Sequence, residues 1–74
     1  MKMSPYDYSK LNGRVKEFGY TQESLAKEIG ISAASLNLKL NNKSLFRQDE
    51  IMRLGQVLNI PSKQLHLYFF KHEL

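Results

Sequence analysis

Apolar residues along this chain recur mostly at helical spacing. Tyr8, Leu11, Val15 and Phe18 lie three, four and three positions apart, one stripe of a helix. The segment is expected to start between Ser4 and Ser9. Ser4-Pro5 would give an N-cap with proline at the first helical position, and Asp7 is a second candidate cap. Gly19 ends it. Thr21 then caps a helix of about two turns whose inner stripe is Leu25, Ala26 and Ile29, with Glu23 at the positive end of its dipole and Gly30 as the stop.

The next segment is ambiguous. In LNLKLNNK, Leu36 to Lys43, leucine alternates with polar residues, which is the signature of a half-buried strand. Composition decides against it: no Val, Ile, Thr or aromatic occurs from position 33 to 45, whereas Ala, Leu and Lys favour helix. A helix capped by Ser32 and running from Ala33 to about Asn41 is predicted, ending at Asn41-Asn42. Leu36 and Leu40 then face inward, and Leu38, rotated about 200° from Leu36, faces outward. A fourth helix from about Arg47 to Leu58 carries Ile51, Leu54, Val57 and Leu58. A fifth runs from Pro61 or Ser62 to about Phe69, with Leu65, Tyr68 and Phe69 inward. Leu67 and Phe70 have no place inside so small a core, so they are expected at a homodimer contact or on a partner-binding patch. The expected class is all-α: five short helices in a single domain spanning 1–74, with no repeat or linker.

Composition narrows the picture further. A chain of 74 residues without cysteine has no disulfide to staple it. It buries only about 60% of its unfolded surface and depends on efficient helix packing or a partner. The absence of cysteine suits a reducing compartment. No apolar run nears the roughly 18 residues of a membrane span, and no leader-like segment is visible. The expectation is a soluble cytoplasmic protein without membrane or small-molecule partners. His66 and His72 have no Cys or paired acid at ligand spacing, and no triad, nucleophile elbow or phosphate loop occurs, so no metal, cofactor or catalysis is expected. The net charge is +4, and no acid lies between Glu28 and Asp49, where Lys39, Lys43 and Arg47 fall. Such a one-signed stretch is a candidate footprint for a polyanion, the alternative being an ordinary solvated face.

Residues 21–40 meet the requirements of a helix-turn-helix, with the unit spanning about 21–41. Two helices joined by a tight turn need a small residue where they cross, which Ala26 provides, and a residue free to take positive φ, which is Gly30. Ile31 and Leu36 plug the space between them. The second helix of such a unit can enter the major groove of DNA.

At these residues the chain resembles the lambda-repressor-like (Cro and repressor, XRE-type) helix-turn-helix family. TQESLAKEIGIS, 21 to 32, followed by LNLKLNNK carries that pattern, and LGQVLNI, 54 to 60, is similar to its fourth helix. YSKLNGRVKEFG and YFF, together with the third helix, look like small Cro-type or antirepressor lytic-switch regulators of temperate phages of Gram-positive bacteria. The resemblance implies a transcriptional regulator, dimeric on double-stranded operator DNA, in a bacterial host cytosol or encoded by a prophage. By position, Ser32, Ala33, Ala34, Asn37, Leu38 and Asn41 would face bases, while Gln22, Lys39, Asn42, Lys43 and Arg47 would hold phosphates or, for Gln22, orient the third helix.

The pattern departs from that family at the tip. Alanine at 33 and 34 cannot hydrogen-bond a base edge, and Leu38 stands where many relatives carry a polar or basic side chain, so direct readout would rest on Asn37 and Asn41 plus methyl contacts. Hence the alternative: an antirepressor-like protein that uses the same face, with its apolar centre and polar rim, to bind a phage repressor protein.

Overall fold

The computed structural model describes residues 6–71. The chain order is α1 (Ser9–Glu17), α2 (Gln22–Ile29), α3 (Ala33–Leu40), α4 (Gln48–Val57), a single 3₁₀ turn (Ser62–Gln64) and α5 (Leu65–Phe69). No strand occurs among the described residues, and no helix there is long and apolar enough to cross a membrane. The all-α, five-helix expectation therefore holds. The Ser4-Pro5 cap lies outside the described residues. Asp7 does serve the start of α1, its Oδ1 accepting the Ser9 N–H at 2.9 Å.

The core gathers the predicted stripes. Leu11, Val15, Leu25, Ala26, Ile29, Leu36, Leu54, Leu58, Tyr68 and Phe69 are buried together with Tyr8 and Ile60. Ile51, Val57, Leu65, Ile31 and Leu40 are half-buried around them. Phe18 departs from its stripe and is 42% exposed. Gly19 takes a φ of 77°, which stops α1 at Glu17 and leaves Phe18 as the C-cap; the Arg14 guanidinium lies over its ring at 4.9 Å. The helix turns away before Phe18 can reach the core.

Two arginines tie helix ends across the fold. Arg14 donates from Nε to the Leu58 carbonyl at 2.9 Å and from an η-nitrogen to that of Asn59 at 2.8 Å, satisfying the end of α4. Arg53 donates to the Ile29 carbonyl at 3.0 Å and does the same for α2. An aromatic chain of edge contacts, Tyr8 with Phe46 and Phe46 with Phe69, joins the start of α1 to the 41–47 segment and α5. Gly55 lets α4 and α5 approach: a Cβ there would stand 3.0 Å from Leu65 Cδ2.

Candidate partner-binding face of the third helix

The α2–turn–α3 unit is fixed by local chemistry. Thr21 Oγ1 accepts the Ser24 N–H at 3.0 Å while Ser24 Oγ accepts that of Thr21 at 2.9 Å, a reciprocal cap of α2. Gly30 closes α2 at φ 80°, and the Gly30 and Ile31 N–H groups both donate to the Ala26 carbonyl, at 2.9 and 3.0 Å. Ser32 Oγ then accepts the Ser35 N–H at 3.0 Å and starts α3. Leu36, fully buried, sets the inner side of α3.

The outer side of α3 is a stripe at helical spacing: Ala34, Asn37, Leu38 and Asn41, all exposed. Leu38 is 46% exposed at its middle. Asn37 Nδ2 donates to Gln22 Oε1 at 3.2 Å, so the first residue of α2 and the centre of α3 share one polar edge. Asn41 Nδ2 donates back to the Asn37 carbonyl at 2.8 Å. Ser32 is exposed with its hydroxyl committed to capping, and Ala33 is half-buried against the core rather than presented outward.

Among the residues expected at phosphates, the structure separates the cations. Lys39, expected to reach outward, is buried, and its Nζ lies 2.6 Å from Glu50 Oε1, itself buried on α4. The same carboxylate oxygen accepts the Arg47 N–H at 2.8 Å. Burial alone would raise the Glu50 carboxyl, but the Lys39 ammonium and the Arg47 N–H outweigh it and hold the group below its ordinary value. Lys39 is thus spent inside the fold, because an unpaired carboxylate there would be far costlier. Asn42 also turns inward: it takes a φ of 62°, and its Nδ2 donates to the Tyr6 carbonyl at 2.9 Å. Lys43 stays exposed, with no side-chain partner among the described residues, while its N–H donates to the Leu38 carbonyl at 2.9 Å. Arg47 is exposed but lies 3.3 Å from Asp49, which offsets its charge.

Packed on α1 and α4, α5 sits apart from this face, with Leu67 on it and Phe70 capping it. Both are exposed, at 42% and 49%, and Phe70 meets the Tyr6 ring edge-on at 5.9 Å. Glu50 was not singled out by the pattern of the chain, yet a signal existed. It stands four residues before Leu54 on the inner stripe of α4, and Lys39 stands three after Leu36 at the border of that of α3, so the two were candidates for a pair between helices.

Residues 3–72 match the family described as "Protein of unknown function (DUF739)". The fold is similar to the solution structure of the modulator of repression (MOR) of the temperate bacteriophage TP901-1 from Lactococcus lactis. The TM-score is 0.75 and the identity 38%, over 89% of each chain. No curated protein matches the sequence. With nearly its whole length matched and a structural relative at that level of identity, the chain belongs to the DUF739 family.

Proposed function

We propose that this chain is a phage-type modulator of repression that binds a repressor protein through the outer stripe of α3. The carrying observation is the inward Lys39–Glu50 pair. It removes the central cation from α3 and leaves an apolar patch, Ala34 and Leu38, rimmed by Asn37, Gln22 and Asn41. That is the anatomy of a protein interface, whose centre is depleted in charge, rather than of a phosphate-gripping surface. The similarity to a modulator of repression supports the same reading. On this reading the chain acts as one helix-turn-helix unit in the bacterial cytosol and does no chemistry of its own.

A second reading keeps the helix-turn-helix as a Cro-type DNA reader of the lambda-repressor-like family, a homodimer with α3 in the major groove of an operator. It is favoured by the Gln22–Asn37 amide pair, which can present a donor and an acceptor to a base edge, and by exposed Lys43 in a chain of net charge +4.

Titration calorimetry against a repressor encoded in the same prophage distinguishes them. Leu38→Asp should weaken repressor binding by about 30-fold or more, as expected for an anchor at an interface centre, and Lys43→Ala should leave it unchanged. Tight operator binding with a steep salt dependence, a slope that falls by about one unit in Lys43→Ala, and no repressor binding would reverse the assignment.

A further inference from the structure

Away from α3, an apolar trough runs between α4 and α5. Its centre is a cavity of about 420 Å³ lined by Phe46, Gln48, Ile51, Met52, Leu65 and Phe70. It shares Met52 and Leu65 with a hollow of about 260 Å³ that reaches Asn59 and Ser62, and shares Phe46, Ile51 and Phe70 with one of about 110 Å³ that Leu45 borders. The three form one trough alongside α4, whose ten residues span about 15 Å, room for roughly three turns of a second helix. Leu45 at 70%, Met52 at 50% and Phe70 at 49% exposure leave it lined by large apolar groups facing water.

The charges at its edges that lack a close partner among the described residues are basic. Lys63 and His66, the chain neighbours of wall residues Ser62 and Leu65, are exposed and make no ion pair among the described residues. His66 lies one turn before Phe70 on the same side of α5, the Phe70 N–H donating to its carbonyl at 3.0 Å. Lys71, two residues past α5, is only loosely met by Asp7 at 3.9 Å. Of the two acids on α4 beside the trough, Glu50 is buried against Lys39 and Asp49 is engaged by Arg47 at 3.3 Å and Arg53 at 4.0 Å. The remaining wall on that side is neutral: Gln48, Gln56 and Asn59.

We propose that this trough is a docking site for an acidic amphipathic helix of a partner protein. Apolar side chains at i, i+3, i+4 and i+7 would lie over Met52, Leu65 and Phe70, and flanking carboxylates would face Lys63 and Lys71. A second copy of this chain is the poorer occupant, because a two-fold contact would bring the same lysine-bearing edges together. The trough belongs to α4 and α5 and the proposed repressor face to α3, so either assignment can fail without the other.

Fluorescence anisotropy on the full chain tests this with a dye-labelled helical peptide bearing Leu at i, i+3, i+4 and i+7 and Glu on its flanks. Two controls are used, one with Lys in place of Glu and one with the Leu positions scrambled. The Glu peptide should bind saturably and about tenfold or more tighter than either control. Met52→Glu, at a position 50% exposed, should weaken it about tenfold with the circular-dichroism spectrum unchanged, Lys63→Glu should reverse the preference between Glu and Lys peptides, and Leu38→Asp should change nothing. The proposal is overturned by absent or unsaturable binding, by equal binding of the Lys peptide, by insensitivity to Met52→Glu, or by a concentration-dependent doubling of mass that Met52→Glu abolishes. The last would give the trough to a second copy.

Discussion

Glu50→Gln removes one charge from the pair that holds α3 on α4. At 2.6 Å, in an effective dielectric of about 20, the Lys39–Glu50 attraction is about 6 kcal/mol before desolvation. Withdrawing both ions from water costs several kcal/mol each, so the intact pair adds little net stability. Breaking it is another matter. Glutamine keeps an acceptor for the Arg47 N–H but leaves the Lys39 ammonium, its side chain only 10% exposed, without a counter-charge. Loss of one partner of a buried pair typically costs about 3–5 kcal/mol. The flexible lysine stem lets the ammonium reach water at some loss of packing, so about 2–3 kcal/mol is expected here. For a chain of this size that is a Tm lower by about 10–20 °C.

Lys39→Met should cost a similar amount, and the double variant Lys39→Met/Glu50→Gln should recover part of the loss, with a coupling of about 2 kcal/mol in the cycle. Urea unfolding followed by far-ultraviolet circular dichroism provides all four corners. The pH dependence provides a second check. The folded Glu50 carboxyl lies below its ordinary value of 4.5, so the folded state holds fewer protons there than the unfolded chain. This contribution is complete above the unfolded value and is lost as pH falls through the lowered folded one. Glu50→Gln should therefore flatten the acid limb of the stability curve. A slope will remain, because the Asp7 carboxyl, bonded to the Ser9 N–H, is also held low. Single variants within about 0.5 kcal/mol of wild type, and additive in the double, would refute the buried pair. They would also return Lys39 to the outer face, where the DNA reading needs it.

Gly30→Ala should cost about 1 kcal/mol by the same unfolding assay, because alanine is strained at φ 80° although its Cβ would meet Arg53 only at an ordinary 3.5 Å; an unchanged midpoint would mean the turn relaxes. Arg14→Met, which keeps the apolar stem but loses the two charged donors to the Leu58 and Asn59 carbonyls, should cost about 1–2 kcal/mol and speed amide exchange at the end of α4. Faster exchange at α2 instead would show that the wrong helix had been assigned to that guanidinium.

What the chain revealed in advance was what depends on neighbours a few residues away. Thr21, Gly30 and Ser32 act through bonds no longer than one turn, so their roles as caps and stop follow from residue type and position. The outward aim of Leu38 followed from helical geometry once Leu36 was placed inside. Where the placement differed from the expectation, a non-local partner was the commoner cause. Asn42 does end the helix, at φ 62°, but its side chain could equally be a phosphate ligand until Tyr6, 36 residues away, supplies a carbonyl for it. Phe18 fits the period of α1 but falls beyond the point where Gly19 turns the chain. Lys39 could go either way by spacing alone, three residues past Leu36 at the border of the stripe. Its fate was decided by Glu50, eleven residues on, across the α3–α4 contact.

That contact also bears on which ligand the third helix can serve. Leucines at 36, 38 and 40 give α3 apolar groups on opposite sides, two inward and one outward, so burial of leucine favours the observed rotation but leaves one large apolar group outside. Turning it to bury Leu38 would expose Leu36 and Leu40, two leucines for one. It would also carry Lys39 away from Glu50 and strand a carboxylate in the core. The ion pair therefore acts as a register pin, adding little net energy while making the alternative rotation expensive. Because the pin is a lysine, the rotation that it enforces withdraws a cation from the exposed stripe and leaves Leu38 at its centre. One interaction thus reinforces the orientation that Leu36 and Leu40 favour and sets the chemistry of the surface α3 shows. A variant that releases Lys39 without unfolding the chain should consequently lose repressor affinity and gain salt-dependent affinity for DNA together.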